Sequence, residues 1–146
     1  MIGEHGSAMI LEAIKAGLGE QIDVATIQKA LVKQSTESVP INGRADIEFY
    51  IAHGYVRQDV DDTSSSATLS YALDDYLLAG ISEYVGDTEA AAAASVRAQN
   101  YRNIWSSESQ LFCPKYENGD LKCPESGAGP VAWTEFKEGD ANHWMW

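Results

Sequence analysis

Apolar residues recur at intervals of three and four through most of the first hundred positions, the spacing that puts side chains on one face of a helix. Ile10, Leu11, Ile14 and Leu18 set this rhythm over 8–18, and Gly17 and Gly19 supply a stop. Asp23 then stands as an N-cap, with Ile22 and Ile27 spaced as a hydrophobic staple and Val24, Ile27 and Leu31 as the buried stripe of a second helix. That helix ends between Ser35 and Pro40, because Pro40 turns Val39 away from helical geometry and Asn42-Gly43 adds a turn. A short apolar and aromatic segment, Ile47, Phe49, Tyr50 and Ile51, reads as helix over 45–52.

The longest pattern covers 65–85, where Leu69, Ala72, Leu73, Tyr76 and Gly80 recur at helical spacing and are expected to face the core. Gly86-Asp87 closes this helix and caps the next, which carries five alanines from Ala90 to Ala94 and a seam of Ala94, Ala98, Tyr101 and Trp105. Two helices joined by so tight a turn make an antiparallel hairpin, and small side chains let its arms approach closely. After Ser107 the period changes. Runs at 110–116 and 121–123 flank Asn118-Gly119, a strong short-hairpin signal, and Pro114 confines its strand to an edge. Residues 124–131, rich in Gly, Ser and Pro, read as a loop. The fold expected is mainly helical with one short β-hairpin near 110–123.

Composition narrows the classes of partner. The chain has 146 residues, 22 acidic against 10 basic, for a net charge of −12. Such a surplus repels phosphate backbones and anionic membrane surfaces, which argues against nucleic acid and membrane as partners. No run of apolar residues is long enough to span a bilayer, and the N-terminus lacks the order of a signal peptide. Met1 opens directly onto helix-like sequence and Trp146 falls inside an aromatic amphipathic segment without a cap, so both ends read as cut from something larger.

Candidate chemistry concentrates near the C-terminal end. Glu138 is set among glycine, small polar residues and the rings of Trp133, Phe136, His143, Trp144 and Trp146. Aromatic faces stack against pyranose C–H groups, and an apolar wall beside a carboxyl penalises its charged form, as a proton donor to a glycosidic oxygen requires. The plainer reading of Glu138 is a first-turn carboxylate facing a helix dipole, and Trp144 and Trp146 equally suit a core. Cys113 and Cys123 lie on the two arms of the expected hairpin, which suits either a disulfide in an oxidising, secreted setting or two free thiols. His5, His53 and His143 show no zinc spacing relative to them. Asp74-Asp75 sits mid-helix, where aspartate is a poor helix former; a solvated pair at the rim of an apolar seam is the favoured reading, one carboxylate facing a cavity the alternative. Asp59, Asp61 and Asp62 lack the spacing of a calcium loop and read as solvated.

Five blocks follow one another along the chain: Met1-Ile2-Gly3-Glu4-His5, His53-Gly54-Tyr55-Val56, Thr68-Leu69-Ser70-Tyr71-Ala72-Leu73-Asp74-Asp75-Tyr76, Gln99-Asn100-Tyr101-Arg102-Asn103 and Glu138-Gly139-Asp140-Ala141. Their order resembles that of glycoside hydrolase family 92. The resemblance runs through essentially the whole chain. It implies a calcium-dependent, exo-acting α-mannosidase, often α-1,2 specific, and a central portion of an (α/α)6 toroid packed against an N-terminal β-sandwich. Residues 1–146 would then be part of that catalytic domain, with the rest of the toroid and the sandwich as its partners and a mannose-containing glycan as substrate. The family's general acid falls on Glu138, whereas the base and most calcium ligands belong to a later block that this chain does not reach.

The implied mechanism is hydrolysis with inversion, in an extracellular or secretory setting. Asp140 stands where the family has asparagine, and Asn142 and His143 where it often has Trp and Gln, which bears on linkage preference. Trp133, His143 and Trp144 are the candidate substrate-binding residues. An acid without its base predicts no hydrolysis by the isolated chain. Two other readings account for parts of the pattern: a non-catalytic helical-hairpin module that binds a partner protein, and a toroid glycosidase for another sugar.

Overall fold

A computed structural model describes residues 6–38, 43–123 and 136–137. Among them are five α-helices: α1 (Gly6–Lys15), α2 (Val24–Thr36), α3 (Ile47–His53), α4 (Ser64–Val85) and α5 (Thr88–Arg97). Short 3-10 turns occupy Gly19–Gln21 and Asn100–Ile104, and the strands β1 (Trp105–Ser106) and β2 (Leu111–Phe112) form one small antiparallel sheet. The expected class, mainly helical with a short hairpin, is the one observed.

Caps set several of the helix boundaries. The Asp23 carboxylate accepts the Thr26 N–H at 3.1 Å, and Asp87 repeats the arrangement with Ala90 at 3.0 Å. Each satisfies a backbone donor that the first helical turn leaves without a partner. Gly86 closes α4 in the left-handed region, and Gly54 does the same for α3. Gly54 has a second reason to be glycine, because a Cβ there would collide with the Asn103 amide.

α4 is the spine. On one side Leu77 and Ile81 pack with Leu11 of α1 and Val24 of α2; on another Leu78 and Ala79 meet Ala94 of α5; near its start Ala67 and Tyr71 join Ile47, Tyr50 and Val56. Sequestering each of the larger side chains is worth about 1.5–3 kcal/mol. Small residues allow the tight fits: Ala94 is fully buried against α4, and a Cβ on Gly80 would come within 3.1 Å of Leu11.

Because α4 is enclosed on three sides, the stripe expected to face the core holds only in part: Ala72 is buried and Gly80 packs against Leu11, but Leu73 and Tyr76 face outward. Leu73 and Tyr76 are 52% and 59% exposed, whereas Asp74 and Asp75 are 1% and 0% exposed. The aspartates are therefore not a solvated pair at a rim. Periodicity locates a single apolar stripe, and a helix surrounded by neighbours also buries polar positions when those neighbours bring partners. In α2 the fully buried positions are Val24, Gln28 and Ser35, with Ile27 and Leu31 only half-buried. α5 ends at Arg97, so the expected seam continues through Ala98 only; Ile104 is buried and Tyr101 and Trp105 are half-buried.

Regular strand pairing lies slightly earlier than the sequence suggests, with Trp105 opposite Phe112 and Ser106 opposite Leu111. Asn118-Gly119 does make its turn, closing a single antiparallel bridge between Lys115 and Leu121, and the Gly119 φ of 91° explains the glycine. Cys113 and Cys123 form a disulfide across this loop, with Cα atoms 5.1 Å apart.

Candidate active site

Two polar centres lie along α4. The first is at its middle, where the Asp75 carboxylate gathers three partners from distant parts of the chain. Arg44 reaches Oδ1 at 3.0 Å, Arg97 reaches Oδ1 and Oδ2 at 3.1 Å each, and the Tyr50 hydroxyl donates to Oδ2 at 3.3 Å. Arg97 also donates to the Ser35 hydroxyl of α2 at 3.3 Å, while the Arg44 guanidinium lies 5.0 Å from the centre of the Tyr71 ring. Burial pushes the Tyr50 phenol up, and the negative charge of Asp75 adds to the shift, so the hydroxyl remains a neutral donor. One carboxylate thereby locks four helices or their approaches together.

The second centre is the start of α4. Ser64, Ser65 and Ser66 are fully buried. Asp61 accepts both the backbone N–H and the hydroxyl of Thr63 at 2.8 Å, and the Ser64 hydroxyl donates to Gln58 at 2.8 Å. Thr68 donates to the Ser64 carbonyl and accepts the Val56 N–H, both at 2.9 Å, which ties the His53-Gly54-Tyr55-Val56 block to the helix. Ser66 donates to the Thr63 carbonyl at 2.9 Å and accepts the Lys137 N–H at 3.2 Å. Phe136, one residue earlier, is 4% exposed.

The disulfide-closed loop abuts the same region. The Tyr55 hydroxyl donates to the Tyr116 carbonyl at 3.1 Å, the Gln58 N–H to the Lys115 carbonyl at 2.9 Å, and the Glu117 N–H to Asp59 at 2.7 Å. Arg57 makes a forked pair with Asp46 at 2.6 and 2.8 Å, and its hydrogen bonds to Asp46 raise its pKa further. Asp59 and Asp61 are thus engaged rather than merely solvated, Asp61 as a local cap and Asp59 as a cross-link to the loop.

Among the residues predicted from sequence, Cys113 and Cys123 are brought together as a bonded pair. Glu138, Trp133, His143, Trp144 and Trp146 lie outside the described residues. What the structure does supply is the backbone immediately before Glu138. Sequence reading passed over Ser66, Tyr50, Arg44 and Arg97. A usable signal existed for the last three: two adjacent aspartates in mid-helix require compensating donors, and the sole basic residue of α5 is Arg97. Among the described residues no three acidic, imidazole or thiol groups converge to hold an ion. An open groove of about 250 Å³ between α2 and the start of α5 is lined by Lys29, Val32, Lys33 and Asp87, away from the residues singled out for chemistry.

Comparison with known proteins fits this architecture. The family model "Glycosyl hydrolase family 92 catalytic domain" matches residues 1–146. An inverting mannosidase of family GH92 from Bacteroides thetaiotaomicron superposes with a TM-score of 0.85 at 26% identity, covering 100% of this chain and 20% of that one. A family GH92 α-mannosidase of the same organism superposes with a TM-score of 0.80 at 27% identity, over 95% of this chain and 18% of that one. The same α-mannosidase in complex with mannoimidazole matches equally well, with a TM-score of 0.80 at 26% identity. No curated protein matches the chain. The chain spans about a fifth of the length of these solved structures. A match along its whole length to the catalytic-domain model shows that the chain belongs to glycosyl hydrolase family 92.

Proposed function

We propose that this chain is a segment of the catalytic domain of an α-mannosidase that removes terminal α-linked mannose, α-1,2 linked, with inversion and with Glu138 as general acid. The observation that carries the reading is the full-length family match together with solved relatives described as mannosidases, one of them in complex with mannoimidazole. Glu138 protonates the departing glycosidic oxygen, and a carboxylate from beyond this chain activates water on the opposite face of the sugar. An inverting pair of carboxyl groups stands about 6.5–9.5 Å apart to admit that water. Residues mostly outside this chain would hold calcium, which would supply charge to orient the mannose hydroxyls. Trp133, His143 and Trp144 contribute aromatic and polar surface to the sugar.

The remaining toroid helices and an N-terminal β-sandwich complete the protein in this reading, and its setting is extracellular. The exposed Leu73 and Tyr76 on α4 suit burial against those missing helices, since the solved relatives are about five times as long as this chain. The isolated segment, holding the acid without its base, is inactive.

Replacing Glu138 by glutamine in the full-length enzyme tests the assignment. Cleavage of an α-1,2-mannobioside is expected to fall by at least about a thousandfold with the fold intact, the scale set by loss of acid assistance to a poor leaving group. Unchanged turnover refutes it. Product analysis on a panel of disaccharides separates mannose from other terminal sugars.

A further inference from the structure

We infer that Ser66 is a positioning residue for Glu138, acting through the backbone of the residue before it. The inference rests on the reading of Glu138 as the general acid and adds the device that holds it. A first-turn serine ordinarily serves its own helix. Ser66 does so, donating to the Thr63 carbonyl at 2.9 Å, and that bond spends its proton and leaves oxygen lone pairs to accept. They accept from Lys137, 71 positions further along the chain, at 3.2 Å.

Three features make this contact a datum for the acid. Ser66 is fully buried, so water does not compete for its oxygen. The platform beneath it is fixed at Thr63 by Asp61, at Ser64 by Gln58, and at Thr68 by Val56. Phe136 is buried and Lys137 is bonded through its N–H, so two consecutive residues are held immediately before Glu138 in the sequence. A proton donor tolerates little displacement, since an error near 1 Å costs about a hundredfold in rate. Ser66 supplies the fixed point from which the carboxyl is directed.

The test exploits leaving groups. A mannobioside needs a proton on its departing oxygen, whereas 2,4-dinitrophenyl α-mannoside expels a stable phenolate without one. In the full-length enzyme, Ser66→Ala is expected to lower kcat on the mannobioside about tenfold with KM little changed, while the dinitrophenyl substrate slows by less than about twofold. Ser66→Cys, close in size with a weaker acceptor, is expected to fall between wild type and alanine. Glu138→Gln run alongside separates the two claims. If it is selective for the mannobioside and Ser66→Ala slows both substrates equally, or neither, the Ser66 inference is overturned and the acid assignment stands. If Glu138→Gln itself slows both equally, the acid assignment fails and takes this inference with it. Should the alanine variant not fold, the same ratio is read on the cysteine variant, where a wild-type ratio overturns the inference.

Discussion

Asp75 receives two arginines and Asp46 one, and they do different jobs. Asp75 is fully buried and draws its partners from 22, 25 and 31 residues away, so it joins α3, α4, α5 and the segment before α3. Asp46, its side chain 7% exposed, pairs with Arg57 only 11 residues on, and Arg57 is 21% exposed and further shared with the largely exposed Glu117. The first pair closes the helical core. The second joins a loop to a loop. In a buried centre the cost of desolvation has already been met, so each group depends on the others being present; at the surface water can replace a lost partner.

Removing the carboxylate is the strongest way to break this contrast. Asp75→Ala removes from Arg44, whose side chain is 2% exposed, and from Arg97 the buried carboxylate that both engage, and a loss of about 3–5 kcal/mol in chemical denaturation is expected. A loss below about 1 kcal/mol would mean that the centre is not coupled as described. Next comes the loop that carries Glu117. Replacing Cys113 and Cys123 together by serine opens a loop with a sequence separation of 10 and is expected to cost about 2–3 kcal/mol, read from the same denaturation curves with and without reductant.

Asp46→Asn should cost clearly less than Asp75→Ala, and its effect should shrink as salt approaches about 1 M, where screening acts over only a few ångströms. Asparagine is the suitable probe because residue 46 has a φ of 52°, a left-handed conformation that Asn accepts as readily as Asp. An equally salt-sensitive Asp75 effect would erase the distinction between the two centres. The smallest expected change is at the exposed cap of α2. Thr26, through its hydroxyl and its N–H, holds the Asp23 carboxyl below the usual range. A depressed carboxyl stabilises the fold above its unfolded pKa of about 3.9, and that contribution disappears as pH falls through the folded value. Asp23→Asn keeps an acceptor but does not titrate, so its stability curve should be flatter below about pH 4; an identical acid limb would exclude Asp23 as a contributor.

Local rules made much of this visible before any coordinates. Asp23 and Asp87 acted as the caps their sequence positions announced, Gly86 closed its helix, and Cys113 found Cys123 across the Asn118-Gly119 turn. Each depends on neighbours a few residues apart. The inward face of α4 was not legible in the same way. Its apolar spacing pointed to Leu73 and Tyr76, whereas Ser66 and Asp75 became buried, because partners arrive from α3, α5 and the segment before Glu138.

By itself, then, the amino-acid order determined which segments are helical, where α2 and α5 are capped, which cysteines could meet, and which family pattern the chain follows, since these depend on short-range sterics, on capping and on the succession of motifs. Only the tertiary structure decided which side of α4 faces inward and that Ser66 grips the backbone just ahead of Glu138. A buried polar group is stable only when a donor or acceptor is delivered to it, and delivery across 71 positions is a property of the packed fold that no window of sequence contains.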